Sequence, residues 1–120
     1  MIVLLADDSP LIRNQLQELI ALNRQDLLLY SSSDVETTIQ SLQRYDVNVL
    51  ILDLQFPDGS GFSVLEFIKR QEKRPFVMVL TNLASKGVRY RSLQLGADLF
   101  FDKTEEYERV VEEIVRLHQN

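Results

Sequence analysis

The chain of 120 residues contains no cysteine, which removes disulfides, thiolate metal sites and thiol nucleophiles together. A reducing compartment permits such a composition, and the cytoplasm is the expected location. Histidine occurs once, at His118 near the C-terminal end, where a helix-terminal surface residue is expected rather than a general base. Positive charge is in deficit: 13 Lys plus Arg against 18 Asp plus Glu give a net charge of −5. A surface of that sign repels phosphate backbones, so direct nucleic acid binding is not expected. Long apolar runs are missing too. The opening stretch Met1 to Ala6 is too short to span a bilayer, has no basic leader and runs straight into Asp7 and Asp8, so neither signal peptide nor membrane span is expected. The four glycines form neither a P-loop nor a dinucleotide-binding pattern after Ala6 or Leu52, which lowers the prospects of a nucleotide- or flavin-dependent enzyme.

What is present is ordinary globular material, 45% hydrophobic and 26% charged. No Pro/Gly/Ser-rich linker and no internal repeat divides it, so residues 1–120 are read as one domain. Two apolar runs, Ile2 to Ala6 and Val47 to Leu52, the second broken only by Asn48, do not alternate, and each is followed by aspartate. Such runs suit parallel strands covered on both faces. Shorter runs at Leu27 to Tyr30, Phe76 to Leu80 and Leu99 to Phe101 complete five predicted strands.

Between them lie amphipathic segments. Pro10 to Leu22 follows Ser9 as a possible N-cap. A second helix opens on Ser33-Asp34-Val35-Glu36, read as a capping box. A third covers about Phe62 to Arg70. The fourth, Ser85 to Leu95, carries Gly87 at a cost of about 1 kcal/mol against alanine and is expected to end at Gly96. The fifth covers Glu105 to Leu117. Strands alternating with helices make an α/β protein with an open, doubly wound, five-stranded parallel sheet.

In such sheets ligands bind outside the carboxyl ends of the strands. There the chain places Asp7 and Asp8 after the first run, Asp53 after the third, Thr81 after the fourth and Lys103 after the fifth. Singly, each is as well explained as a cap, turn or surface residue; jointly they describe a site. Three converging carboxylates repel one another unless one is protonated or a cation is present. Mg²⁺, an oxygen-seeking ion that shares its shell between carboxylates and phosphate, is the natural partner. A carboxylate beside it can serve as nucleophile toward an activated phosphoryl group, with Asp53 the best candidate. The hydroxyl of Thr81 and the ammonium of Lys103 suit the oxygens of the transferred group.

In order and spacing these residues, with Pro57, Gly59-Ser60-Gly61 and Leu95-Gly96-Ala97-Asp98, resemble the receiver domains of two-component response regulators over essentially the whole chain. The resemblance implies a flavodoxin-like (βα)5 sheet of order 2-1-3-4-5, an order that general descriptions of the fold give for a chemotaxis receiver. It implies that Asp7, Asp8, Asp53 and the backbone carbonyl of Gln55 hold Mg²⁺. Asp53 would accept phosphate from a sensor histidine kinase or histidine phosphotransfer protein, Thr81 would move toward it, and Phe100 would rotate inward. The surface of the fourth helix, fifth strand and fifth helix would then change for a downstream protein target. The domain would be a phosphoacceptor switch rather than an enzyme.

Several residues depart from the family pattern. Thr104 stands where proline usually follows the lysine, often through a cis peptide; since cis bonds without proline cost about 2.5–4 kcal/mol, a trans bond or a rearranged loop is expected. Asn82 occupies a position where a small residue is common, which narrows access to Asp53, and Phe100 lacks a tyrosine hydroxyl. Gln55 and Leu83 lie at positions that tune dephosphorylation, and Leu83 has no group to orient water, so slow self-dephosphorylation is expected. Tyr90 is read as exposed, and Lys86, Arg89 and Arg91 facing Glu108 and Glu112 are compatible with the pairing of two domains in a homodimer, the alternative being two ordinary solvated helix faces. The alternative function is a phosphorylation-independent pseudo-receiver that binds a partner protein. No output domain is contained in the chain, and a stand-alone receiver is the expectation.

Overall fold

The computed structural model describes residues 1–23 and 26–119. Its elements run β1 (Ile2–Ala6), α1 (Pro10–Asn23), β2 (Leu28–Ser32), α2 (Val35–Arg44), β3 (Val49–Leu52), β4 (Gln55–Phe56), β5 (Gly59–Ser60), α3 (Gly61–Lys69), β6 (Phe76–Thr81), α4 (Lys86–Gln94), β7 (Leu99–Asp102) and α5 (Lys103–Gln119). Five strands form a parallel sheet of order β2-β1-β3-β6-β7. With the small β4–β5 hairpin set aside, this is the 2-1-3-4-5 order of the flavodoxin-like receiver fold.

The continuous apolar runs find their explanation in the two faces of the sheet. Leu4, Ala6, Leu50, Leu52, Val77, Val79 and Phe100 pack on one side with Val64, Leu65 and Ile68 of α3. Their neighbours Val3, Leu5, Val49, Ile51, Met78, Leu80 and Phe101 pack on the other with Leu16 and Ile20 of α1 and Val110, Val111 and Ile114 of α5. Side chains alternate with period two and both faces are covered, so every position of β1 and β3, and of β6 as far as Leu80, is apolar.

Helix boundaries show where local chemistry outweighed pattern. Ser9 does cap α1, with its Oγ accepting from Ile12 N–H at 3.4 Å. The α2 N-cap is Asp34, not Ser33: its carboxylate accepts from Thr37 N–H at 2.8 Å. Two further first-turn amides, Val35 N–H and Glu36 N–H, donate at 2.7 and 3.1 Å to the carboxylate of Asp58 in the β4–β5 turn. That remote carboxylate does the work assigned to a capping box, satisfying orphan amides and facing the positive end of the helix. The Val35 amide is the main cause of a pKa held below the usual aspartate value of 3.8. Gly96 follows α4 at φ +103°, a conformation that favours glycine, and the helix ends there as expected.

The fifth helix begins two residues earlier than its apolar pattern indicates. Asp102 caps it, accepting from Thr104 N–H at 2.9 Å, while Glu106 reaches back to accept from Asp102 N–H at 3.1 Å. A proline at 104 has no N–H to give to this cap. The Lys103–Thr104 bond is trans, as is every peptide bond among the described residues.

Candidate functional site

Strand register alone brings the predicted residues together. Ala6 pairs with Leu52, and Asp53 N–H donates to Ala6 C=O at 2.9 Å, so Asp7 and Asp53 leave adjacent strands side by side. On the other flank Leu52 pairs with Val79, and Thr81 pairs with Asp102, which sets Lys103 just past the edge. Asp7, Asp53, Thr81 and Lys103 are all buried, at 1%, 3%, 0% and 6% exposure, whereas Asp8 is exposed.

Burial of so many polar groups requires that each be satisfied. The Lys103 ammonium lies 2.6 Å from Asp7 Oδ2 and 2.7 Å from Asp53 Oδ2. The opposite oxygens take backbone amides: Asp7 Oδ1 accepts from Ser9 N–H at 2.6 Å, and Asp53 Oδ1 from Leu54 N–H at 2.7 Å and Gln55 N–H at 3.3 Å. Thr81 Oγ1 accepts from Leu83 N–H at 3.2 Å. Among the described residues no buried side-chain polar atom lacks a partner.

Electrostatics follow from this packing. Desolvation drives the Asp7 carboxyl above its ordinary pKa of 3.8, even though Lys103 and the Ser9 amide pull the other way. For Lys103, burial alone would release the proton, but hydrogen bonds to Asp53 and Asp7 outweigh it and the pKa rises above 10.5. One ammonium lies between two of the three carboxylates. Oxygens of Asp7, Asp8 and Asp53 lie within 4.8 Å of one another, a cluster able to hold a metal ion. An oxygen-only donor set with one solvent-facing member suits a hard divalent ion that retains water.

The other predicted positions fare unequally. Gln55 lies beside the cluster through its amide contact with Asp53. Phe100 is already inward at 6% exposure, with the Arg89 guanidinium 5.8 Å from its ring centroid. Tyr90 is 68% exposed, as expected. Within the chain, Arg89 of α4 lies over the ring of Phe100. Arg91 lies over Phe62 at 4.4 Å, and Glu108 and Glu112 line a cleft with Leu19 and Asn23 of α1. They share the face of α5 that carries Val111 and Val115, and helical periodicity turns that face toward α1.

Asp58 has no part in the sequence reading, and Gly61 and Thr104, though named there, take roles that it does not assign. Asp58 tethers the loop after Asp53 to α2. Gly61 passes so close to the chain that a Cβ there would lie 2.9 Å from Leu54 Cα and closer still to the Asp53 carbonyl. Thr104 Oγ1 donates to Asn82 Oδ1 at 3.1 Å across the rim of the site. The glycine lies in a motif that could have signalled it; the two tethers depend on loops meeting, for which sequence spacing holds no signal.

Comparison with known proteins agrees with this geometry. Residues 3–115 match the family model of the response regulator receiver domain. The chain is 27% identical over 101 residues to the Fimbriae Z protein of Salmonella typhimurium, with 84% of this chain and 48% of that protein covered. It is 35% identical over 103 residues to a protein-glutamate methylesterase/protein-glutamine glutaminase of Nitrosomonas europaea, with 84% and 28% covered. The chain thus spans half or less of these relatives. In structure it is similar to a receiver domain of a DNA-binding response regulator from Colwellia psychrerythraea, with a TM-score of 0.91, 19% identity and 100% and 99% of the two chains covered. The Mn²⁺-bound form of response regulator Rcp1 gives a TM-score of 0.81 at 25% identity, covering 97% and 90%. With the family model spanning nearly the whole sequence and the fold agreeing, the chain belongs to the receiver domains of two-component response regulators.

Proposed function

We propose that the domain is a phosphoacceptor switch in which Asp53 takes a phosphoryl group from a sensor histidine kinase or a histidine phosphotransfer protein. The observation that carries this reading is the lysine between two buried carboxylates, since Lys103 Nζ touches both Asp7 and Asp53. A buried ion cluster costs desolvation energy that apolar packing avoids. A site that carries charge in transit gives such a cluster a use.

In the proposed reaction an oxygen of Asp53 attacks phosphorus. The bond from phosphorus to the donor breaks with its electron pair leaving on the donor, and an acyl phosphate forms. Lys103 shifts its ammonium to an oxygen of the incoming group, and the Thr81 hydroxyl donates to another. Mg²⁺ held by Asp7, Asp8, Asp53 and the backbone carbonyl of Gln55 supplies charge neutralisation when bound. The altered contacts are passed to α4, β7 and α5, with Phe100 as a switch residue, for a downstream protein to read. Leu83 supplies no polar side chain beside Thr81, which supports slow self-dephosphorylation. We assign the domain to the cytoplasm and give it no substrate turnover of its own. Among the described residues no helix is long and apolar enough to cross a membrane.

Incubation with radiolabelled acetyl phosphate tests the reading. Label is expected on the wild type in the presence of Mg²⁺, and none on Asp53→Asn or after chelation. A wild type that never acquires label leaves the domain as a phosphorylation-independent protein-binding module.

A further inference from the structure

The loop from Asn82 to Ser85 carries the Thr81 hydroxyl on one side and opens α4 on the other, and all four of its residues are exposed. Its internal bonds are local: Leu83 N–H to Thr81 Oγ1 at 3.2 Å, and Val88 N–H to Ser85 Oγ at 3.2 Å. Among the described residues, one hydrogen bond ties these four residues to another element beyond their own flanks, that from Thr104 Oγ1 to Asn82 Oδ1 at 3.1 Å. Each partner is the immediate neighbour of a buried site residue. Asn82 follows Thr81, and Thr104 follows Lys103 in the first turn of α5.

We propose that Asn82 and Thr104 form a latch that holds the acceptor site in its unphosphorylated arrangement and so sets how readily Asp53 takes a phosphoryl group. The inference rests on the function proposed above. Lys103 Nζ lies 2.7 Å from Asp53 Oδ2, so a phosphoryl group on that carboxylate displaces the ammonium and changes the contacts made by the first residue of α5. The Thr81 hydroxyl oxygen is oriented by Leu83 N–H and has to turn for its proton to meet a phosphoryl oxygen. Both adjustments begin one residue away from the latch, one at each end of it, and alter the geometry on which its hydrogen bond depends. Thr104 is suited to this position because its N–H completes the Asp102 cap while its hydroxyl remains available to Asn82. The two bonds act together: the cap fixes the backbone of Thr104, which in turn fixes the anchor for the loop.

A hydrogen bond between neutral side chains contributes modestly, so its loss is expected to tighten the response to a phosphoryl mimic by about two- to ten-fold. The test is titration with beryllofluoride in excess Mg²⁺, followed by amide chemical shifts, on the wild type, Thr104→Val, Thr104→Ser, Asn82→Ala and the double variant Asn82→Ala/Thr104→Val. Thr104→Val is expected to reach half-saturation at a lower concentration, and Thr104→Ser, which keeps the hydroxyl, at the wild-type value. In the Asn82→Ala background the Thr104→Val change is expected to have no further effect. Faster hydrogen exchange of amides 82–85 in Thr104→Val, measured without any mimic, is the accompanying sign. The inference is overturned if the wild type responds but Thr104→Val titrates like it, or if the valine effect is undiminished in the Asn82→Ala background. A wild type that gives no response to beryllofluoride overturns the phosphoacceptor reading and takes the latch's role with it, an outcome distinct from the other two.

Discussion

Lys103 and Asp53, separated by 50 residues in sequence, meet at 2.7 Å in a part of the protein closed to water. The pair exists because β3 and β7 both flank β6 and end at the same edge of the sheet. The contact makes Lys103 a structural partner of the carboxylate as well as a proposed partner of the phosphoryl group. Replacing it by methionine leaves Asp7 and Asp53 buried without their ammonium, and loss of one member of a buried ion cluster costs about 3–5 kcal/mol. Urea unfolding of Lys103→Met is expected to show that loss in the absence of divalent metal, with partial recovery on adding Mg²⁺. Unchanged stability in metal-free buffer contradicts the assignment.

Mg²⁺ itself is expected to stabilise the fold, since Asp7, Asp8 and Asp53, which would hold it, are brought together only in the folded chain. At ten times its dissociation constant the gain is about 1.4 kcal/mol. Asp8 is the exposed member, so Asp8→Asn is expected to fold normally in chelator yet lose most of the Mg²⁺-dependent rise in melting temperature. An equal rise in wild type and variant removes Asp8 from the site.

Gly61 admits no side chain. A Cβ there collides with the backbone of Leu54 and the carbonyl of Asp53, neither of which is the free end of a flexible chain. Gly61→Ala is expected to destabilise by about 1–3 kcal/mol, as overpacking does, and to slow labelling of Asp53 because the displaced atoms belong to the acceptor itself. Urea midpoints and labelling rates check the two effects separately.

The parts of this architecture governed by periodicity could be read from the amino acids. Continuous runs such as Val49 to Leu52 announce strands buried on two faces, and Asp53 follows because strand ends collect at one edge. Contacts between loops could not be read in that way. The sequence offered Ser33 as the cap of α2, but a carboxylate from the β4–β5 turn reaches the same amides, and only the tertiary fold brings Asp58 there. The start of α5 was misplaced for a related reason: Lys103 and Thr104 break the apolar pattern, while the Asp102 cap and Glu106 supply the turn that hydrophobicity does not.

Asp58 also gives the domain an acid limb. Its folded-state pKa lies below 3.8, so in the interval beneath 3.8 the unfolded chain binds the proton first. The contribution is therefore complete above 3.8 and is lost as pH falls through the depressed folded value. Asp58→Ala is expected to be less stable than wild type at neutral pH, and the two curves of urea midpoint against pH are expected to converge on the acid side. Curves that stay parallel rule out the carboxylate as the source.

The most direct measurement is the location of the phosphoryl group. After incubation with acetyl phosphate and Mg²⁺, reduction of the acyl phosphate with borohydride and peptide mass mapping identify the modified residue. The account predicts homoserine in place of Asp53 and no conversion at Asp7 or Asp8. Absence of any conversion, or conversion that persists elsewhere in Asp53→Asn at the wild-type level, contradicts it.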